Sequence, residues 1–319
     1  MNLFLLWLLL LLRPTAEPPQ ITLSNGLVQT TLYLPDTAQG YYRGTRFDWA
    51  GAFKSLDYKG HSYVQPWFEH YNPYTHDAIN GPAEEFMPLG FAEAKPSKTF
   101  VKIGVGILRK PDDKPYSFAM PYAVVDYGKR SVKTRKNSVV FTHELTSPDG
   151  YAYEYTKTVK LTNGKPELVL EHRLKNTGQK SIETSVYNHN FWIIDQQLTG
   201  PTVAIRFPFA VSGEGKGFGT TIVATGKSLT YTRNLTKNEN VYSAGLQGFG
   251  PTSDSYDIRI ENLKTGASLR ATANQPLEKL VFWACVTTSC PEPYIRLKVA
   301  PGETVCWQIN YEFYETITP

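Results

Sequence analysis

"YAYEYTKTVKLTNGKPELVLEHRL" spans residues 151–174. Its first half places Tyr151, Tyr153, Tyr155, Val159 and Leu161 on one face of an extended chain. Lys157 falls on that same face, which predicts incomplete burial or a bulge there. The second half alternates Leu168, Leu170, His172 and Leu174 against Val169, Glu171 and Arg173. Side chains in a strand point to opposite faces with period two, so both halves read as strands with one buried face. "TNGK" (162–165) between them is a hairpin turn signal.

The same period recurs elsewhere. "TVCWQINYEFY" (304–314) sets Val305, Trp307, Ile309, Tyr311 and Phe313 against mostly polar neighbours, and "DIRIENLKTGASLRAT" (257–272) reads as a hairpin turning near Thr265-Gly266. No segment carries a long helical period. "HDAINGPAEEFMPLGFAEA" (76–94) is the best place for short helical turns, broken by Gly81, Pro82, Pro88 and Gly90. Residues 41–125 are rich in Pro, Gly and aromatics, which predicts long ordered loops of the kind that carry function. The expected fold is all-β, a large antiparallel β-sandwich, formed as one domain over residues 20–317.

Composition narrows the function. Of 319 residues, 41% are apolar and 19% charged, enough for a sizeable core. Aromatics reach 13%, which suits strands and also suits stacking on the C–H faces of sugars. The densest basic stretch, Lys129, Arg130, Lys133, Arg135 and Lys136, has no interleaved aromatics and reads as a solvated hairpin rather than a nucleic-acid patch. "KIGVGILRK" (102–110) lacks the third glycine of a nucleotide loop and sits in a strand-like context. The apolar run Leu3–Leu12 is short for a bilayer span and fits a signal peptide over residues 1–16, cut after Ala16, or alternatively an uncleaved anchor. Either implies export, to the periplasm or beyond. Cys285, Cys290 and Cys306 allow one bridge at most and match no zinc spacing. No metal and no cofactor is expected.

Four stretches concentrate polar residues. "YYRGTRFDWAGAF" (41–53) sets Arg46 and Asp48 among aromatics, as a sugar-binding pair or as a mutual ion pair. "WFEHYNPYTHDAINGPAEEF" (67–86) holds His76, Glu84 and Glu85; the two glutamates are adjacent, so in a strand only one enters a given site. "YNHNFW" (187–192) places His189 at or just past a strand end, with Asn188 and Asn190 to fix the imidazole and Phe191 and Trp192 to wall it off. Histidine titrates near neutrality and can serve as acid or base. In "SCPEPYIRLKVAPGE" (289–303), Glu292 lies between two prolines in what reads as a rigid turn.

Together these stretches resemble the galactose mutarotase-like superfamily, the aldose 1-epimerase fold. "YNHNFW" is similar to its Asn-His-x-x-Phe motif, with Trp192 at the Phe position. "PEPYIRLKVAPGETVCWQINYEFY" (291–314) resembles its ending of rigid loop, Pro-Gly-Glu turn and aromatic strand, and "ITLSNGLVQTTLYLP" (21–35) its opening. The resemblance implies an isomerase that interconverts sugar anomers, with His189 as acid, a carboxylate as base for which Glu292 is the nearest candidate and Glu84 or Glu85 the others, and Arg46 on the sugar hydroxyls. Two departures stand against it. "FWACVTTSC" (282–290) has no carboxylate where the family places its base, and the family's second histidine has no match, leaving His76, Glu84 or Glu85 as substitutes. These departures motivate a non-catalytic carbohydrate-binding module as the alternative. A polysaccharide lyase-like enzyme is a third reading. The expected partner is a small sugar or oligosaccharide, with no nucleic acid and no membrane contact beyond the leader.

Overall fold

The computed structural model describes residues 17–316; the leader predicted over residues 1–16 lies outside them. Among these residues the chain forms strands and two short 3-10 turns. A ten-stranded antiparallel sheet runs from Lys129–Arg135 at one edge to Ile222–Thr225 at the other, and a five-stranded one orders Asn240–Ser243, Lys279–Cys285, Ser289–Val299, Ile182–Phe191 and Gly81–Phe86. A four-stranded and a three-stranded sheet account for the other strands among the described residues.

The opening hairpin forms as read: Ala152–Leu161 pairs with Glu167–Asn176. Thr304–Glu315 lies between Glu167–Asn176 and Ala267–Ala273, so the chain's final strand sits inside the large sheet. Lys157 corrects the expectation of a bulge. The ladder runs unbroken on both sides, and the side chain is fully buried because its ammonium pairs with Glu84 and donates to the Ala50 carbonyl. The expected helical turns of 76–94 are also corrected. Gly81–Phe86 is a fully buried strand, since Ala83, Glu84, Glu85 and Phe86 all find cross-strand partners among Val186, Tyr187, Asn188 and His189. The three cysteines are unbridged.

The two large sheets pack face to face. Phe86 meets Tyr155 and Trp307 edge-on, and Trp192 meets Tyr311. Each such side chain, removed from water, contributes roughly 1.5–3 kcal/mol. The opposite face of the five-stranded sheet carries a second apolar cluster, built on Tyr41, Tyr42, Phe47, Phe100, Phe191 and Cys290. That second face holds the candidate site.

Candidate active site

Period two explains which side chains reach the outer face. Along Ile182–Phe191, Val186, Asn188 and Asn190 point into the sandwich, while Tyr187, His189 and Phe191 point out. Strand register then aligns outer residues into rows. One row reads Glu85, Tyr187, Tyr294, Lys279; the next, Ala83, His189, Glu292, Val281; the third, Gly81, Phe191, Cys290, Trp283, Tyr242. The ladder between Ile182–Phe191 and Ser289–Val299 ends at Tyr187↔Tyr294, and continuing its register sets His189 opposite Glu292. Pro291 and Pro293 lack N–H donors. The Asn190 side chain takes over, donating to the Pro291 carbonyl at 2.8 Å and accepting from the Tyr311 hydroxyl at 2.9 Å.

His189 and Glu292 meet at 3.2 Å between Nε2 and Oε1, each about nineteen-twentieths buried. Phe191 stacks on the imidazole at 3.8 Å, and Phe47 and Trp283 meet it edge-on. His189 Nδ1 has no partner among the described residues. Burial pushes Glu292 up to about 8, against the pull of Arg46. Burial, then Arg46, holds His189 well below the usual imidazole range. Both groups are therefore uncharged at neutral pH, and the pair holds one proton between them.

Arg46 enters from a loop tied down by Tyr42, whose hydroxyl accepts from the Phe47 amide and donates to the His76 carbonyl. Its guanidinium lies over the rings of Phe47 and Phe118. It donates through Nε to Glu85 at 2.8 Å and through Nη2 to the Tyr187 hydroxyl at 2.8 Å. Glu85 also accepts from Lys102 at 2.9 Å, Tyr187 at 2.6 Å and Tyr116 at 3.1 Å. Burial alone would raise this carboxyl, but Lys102, Arg46 and the Tyr187 hydroxyl overcome it and hold Glu85 at about 2. Arg46, Glu85, Tyr116, Phe118 and Tyr187 line a cleft of about 310 Å³ with His189 and Glu292, together with Trp67, His76, Asp77, Tyr242, Lys279 and Trp283.

Several expectations need correction. Glu292 sits in a strand, not a turn, because Val281 and its neighbours pair with the proline segment from the other side. His189 lies within its strand rather than past its end. Asn188 does not hold the imidazole; it points to the core face and donates to Glu84 at 3.0 Å. Trp192 likewise faces the core, donating to Asn190, and does not line the cleft. Glu84 belongs to that face too, with Lys157 and His172. Asp48 is buried beside Gly104, accepts from the Ala50 amide and makes no ion pair with Arg46. Arg46, His76, Glu85, His189 and Glu292 do converge. Tyr187, Lys102, Tyr294, Lys279, Trp67 and Trp283 were not singled out. The signal for Tyr187 and Tyr294 was alternation from His189 and Glu292 along their own strands.

The structure is similar to solved galactose mutarotase-like proteins, and that fold is the one this chain adopts. The Slr1438 protein from Synechocystis sp. PCC 6803 superposes with a TM-score of 0.56 at 14% identity, over 94% of this chain and 97% of that one. A galactose mutarotase related enzyme from Lactobacillus acidophilus gives 0.56 at 11% identity, over 93% and 98%. A galactose mutarotase-like protein from Clostridium acetobutylicum gives 0.55 at 11%, over 93% and 95%. No protein-family model matches the sequence, and no curated protein matches it either.

A raised folded-state pKa makes stability depend on pH. Glu292 binds its proton more tightly folded than unfolded, so its contribution is fully present below about 4.5 and is lost as pH rises through about 8. Glu292→Gln removes this dependence. The melting temperature of the wild type should fall relative to that of the variant across this window; parallel curves would show that Glu292 titrates normally.

Proposed function

We propose that the protein catalyses anomerisation of an aldose, with His189 and Glu292 as the proton-transfer pair. The observation that carries this reading is the 3.2 Å contact between them in a buried, aromatic-walled cleft. A cyclic aldose presents two oxygens on its anomeric carbon. One member of the pair takes the proton from the anomeric hydroxyl while the other protonates the ring oxygen. The ring C–O bond breaks, the aldehyde rotates, and closure with reversed transfers gives the other anomer. The single proton held by the pair suffices for this cycle, and both members return to their starting state. At rest the proton sits on Glu292, so His189 acts as the acid and Glu292 as the base once that proton has crossed the 3.2 Å contact to the imidazole. Such general acid–base catalysis supplies about 10²–10⁴-fold.

The carboxylate that "FWACVTTSC" lacks arrives from the adjacent strand as Glu292, and His76 brings a second imidazole to the cleft. The aromatic walls suit the C–H faces of a sugar, and Phe118 and Tyr242 stay exposed at the cleft.

Polarimetry on freshly dissolved α-aldoses tests the reading. Acceleration over buffer by the wild type, lost in a folded Glu292→Gln variant, is the expected result. Sugar binding without acceleration would select a binding module. The pH profile adds a second check. The pair loses its only proton above about 8, where Arg46, Glu85 and Lys279 surround Glu292, and gains a second only well below the usual imidazole range. The rate should be flat through neutrality and fall above about pH 8; a rate that keeps rising there would exclude a shared proton.

A further inference from the structure

We propose that the sugar bound in this cleft is anionic, bearing one carboxylate that Arg46, Tyr294 and Lys279 hold. The proposal rests on the reading above that the cleft takes a sugar. Its basis is a count of donors, acceptors and charges along the row that begins at Glu85.

Glu85 is the ionised carboxylate of that row, and it is saturated. Its two oxygens accept from Arg46, Tyr187, Lys102 and Tyr116, which fills the roughly four sites an ionised carboxylate offers. The Tyr187 hydroxyl is spent too, accepting from Arg46 and donating to Glu85. What remains toward the cleft is donors. Arg46 is only 7% exposed, and its Nη1 has no partner among the described residues. The exposed Lys279 ammonium makes no hydrogen bond or ion pair among these residues, and the Tyr294 hydroxyl, beside that of Tyr187, keeps its own O–H for the cleft that both residues line. Register places Lys279 directly across from Tyr294, with its ammonium over that ring. An acceptor-only group, such as a carboxylate, satisfies three donors of this kind at once.

Charge points the same way. On the core side of Gly81–Phe86, Glu84 and, from a nearby loop, Asp48 are met by Lys157 and Arg130. On the cleft face, the buried cations Arg46 and Lys102 face the single anion Glu85. Glu292, held protonated by burial, does not supply the missing charge at neutral pH. An uncompensated charge in a dry site is costly, and a bound monoanion removes the imbalance. At the mouth, Lys279 makes no ion pair among the described residues, while His76, which burial holds below the usual imidazole range, brings no full charge to the Asp77 beside it. An excess of one buried charge fits a carboxylate better than a phosphate dianion.

The test titrates glucuronate, galacturonate, glucose, galactose and glucose 6-phosphate against the full chain. Fluorescence of Trp67 and Trp283 reports binding, and polarimetry reports turnover. A uronate should bind at least about tenfold tighter than the matching neutral hexose, with the preference weakened by salt as charge screening requires. Lys279→Ala removes an exposed side chain and leaves the core intact; it should shrink the preference severalfold. Arg46→Lys, which keeps the charge and loses the fork, should shrink it further. Equal or tighter binding of the neutral hexoses overturns the proposal, as does an undiminished preference in folded Lys279→Ala. Tighter binding of glucose 6-phosphate overturns the single carboxylate. The two readings fail separately. A uronate that binds preferentially but is not anomerised removes the enzyme and keeps the anion site. A neutral hexose anomerised without uronate preference does the reverse.

Discussion

Replacing His189 with alanine should slow anomerisation of the preferred aldose by about 10²-fold or more, because it removes one partner of a general acid–base pair. The fall should appear in kcat more than in KM. The aromatic walls and Arg46, which the proposal assigns to sugar binding, remain in place, while the group proposed to move the proton is gone. His189→Gln is the companion variant. It retains a polar side chain opposite Glu292 but cannot cycle a proton near neutrality, so it should be nearly as slow. Near-UV circular dichroism and the melting temperature establish that both variants fold. A folded His189→Ala variant with the wild-type rate would sink the mechanism outright, and the alternative of a binding module would then stand.

The second large effect concerns stability. Glu84 and Lys157 are each about 1% exposed and pair across the sandwich interior, with His172 and Asn188 as further neighbours of the carboxylate. Removing one partner of a buried pair strands the other's charge, which costs about 3–5 kcal/mol. Glu84→Ala should therefore lower the free energy of unfolding by that amount, read from urea denaturation at neutral pH. Combining it with Lys157→Met should recover much of the loss, since the stranded ammonium is then absent. A loss below about 1 kcal/mol for the single variant would show that water reaches Lys157. Glu84 and Glu85 thus divide their work by parity. Glu84 anchors the strand from the core side, while Glu85 organises Arg46, Lys102 and Tyr187 on the cleft side.

Much of the scaffold was legible in the chain. The hairpin of 151–174, that of 257–272 and the final aromatic strand follow from local alternation, a property of neighbours in sequence. Lys157 broke the pattern only because its partner lies 73 residues away, where no local rule reaches. Glu292 was misread as a turn residue because prolines usually end strands. Here each proline's missing N–H falls where the ladder to Ile182–Phe191 has stopped, and an asparagine side chain covers the gap. Asn188 and Trp192 were drawn to His189 by adjacency in sequence. In a strand, an odd spacing, one residue for Asn188 and three for Trp192, sets side chains on opposite faces.

By itself, then, the sequence determined that this is a β-sandwich, that His189 is a titratable group on an aromatic-flanked strand, and that of Glu84 and Glu85 only one can enter a site. These follow from period two and from side-chain chemistry. Tertiary structure alone decided that Glu292 is His189's partner, that Glu85 is held by Arg46 and Lys102, and that Lys279 and Trp283 share the cleft. Each of these depends on the register between strands far apart in the chain. Register is set by how whole faces pack, because a slip of one residue would turn every side chain of a strand to the wrong side.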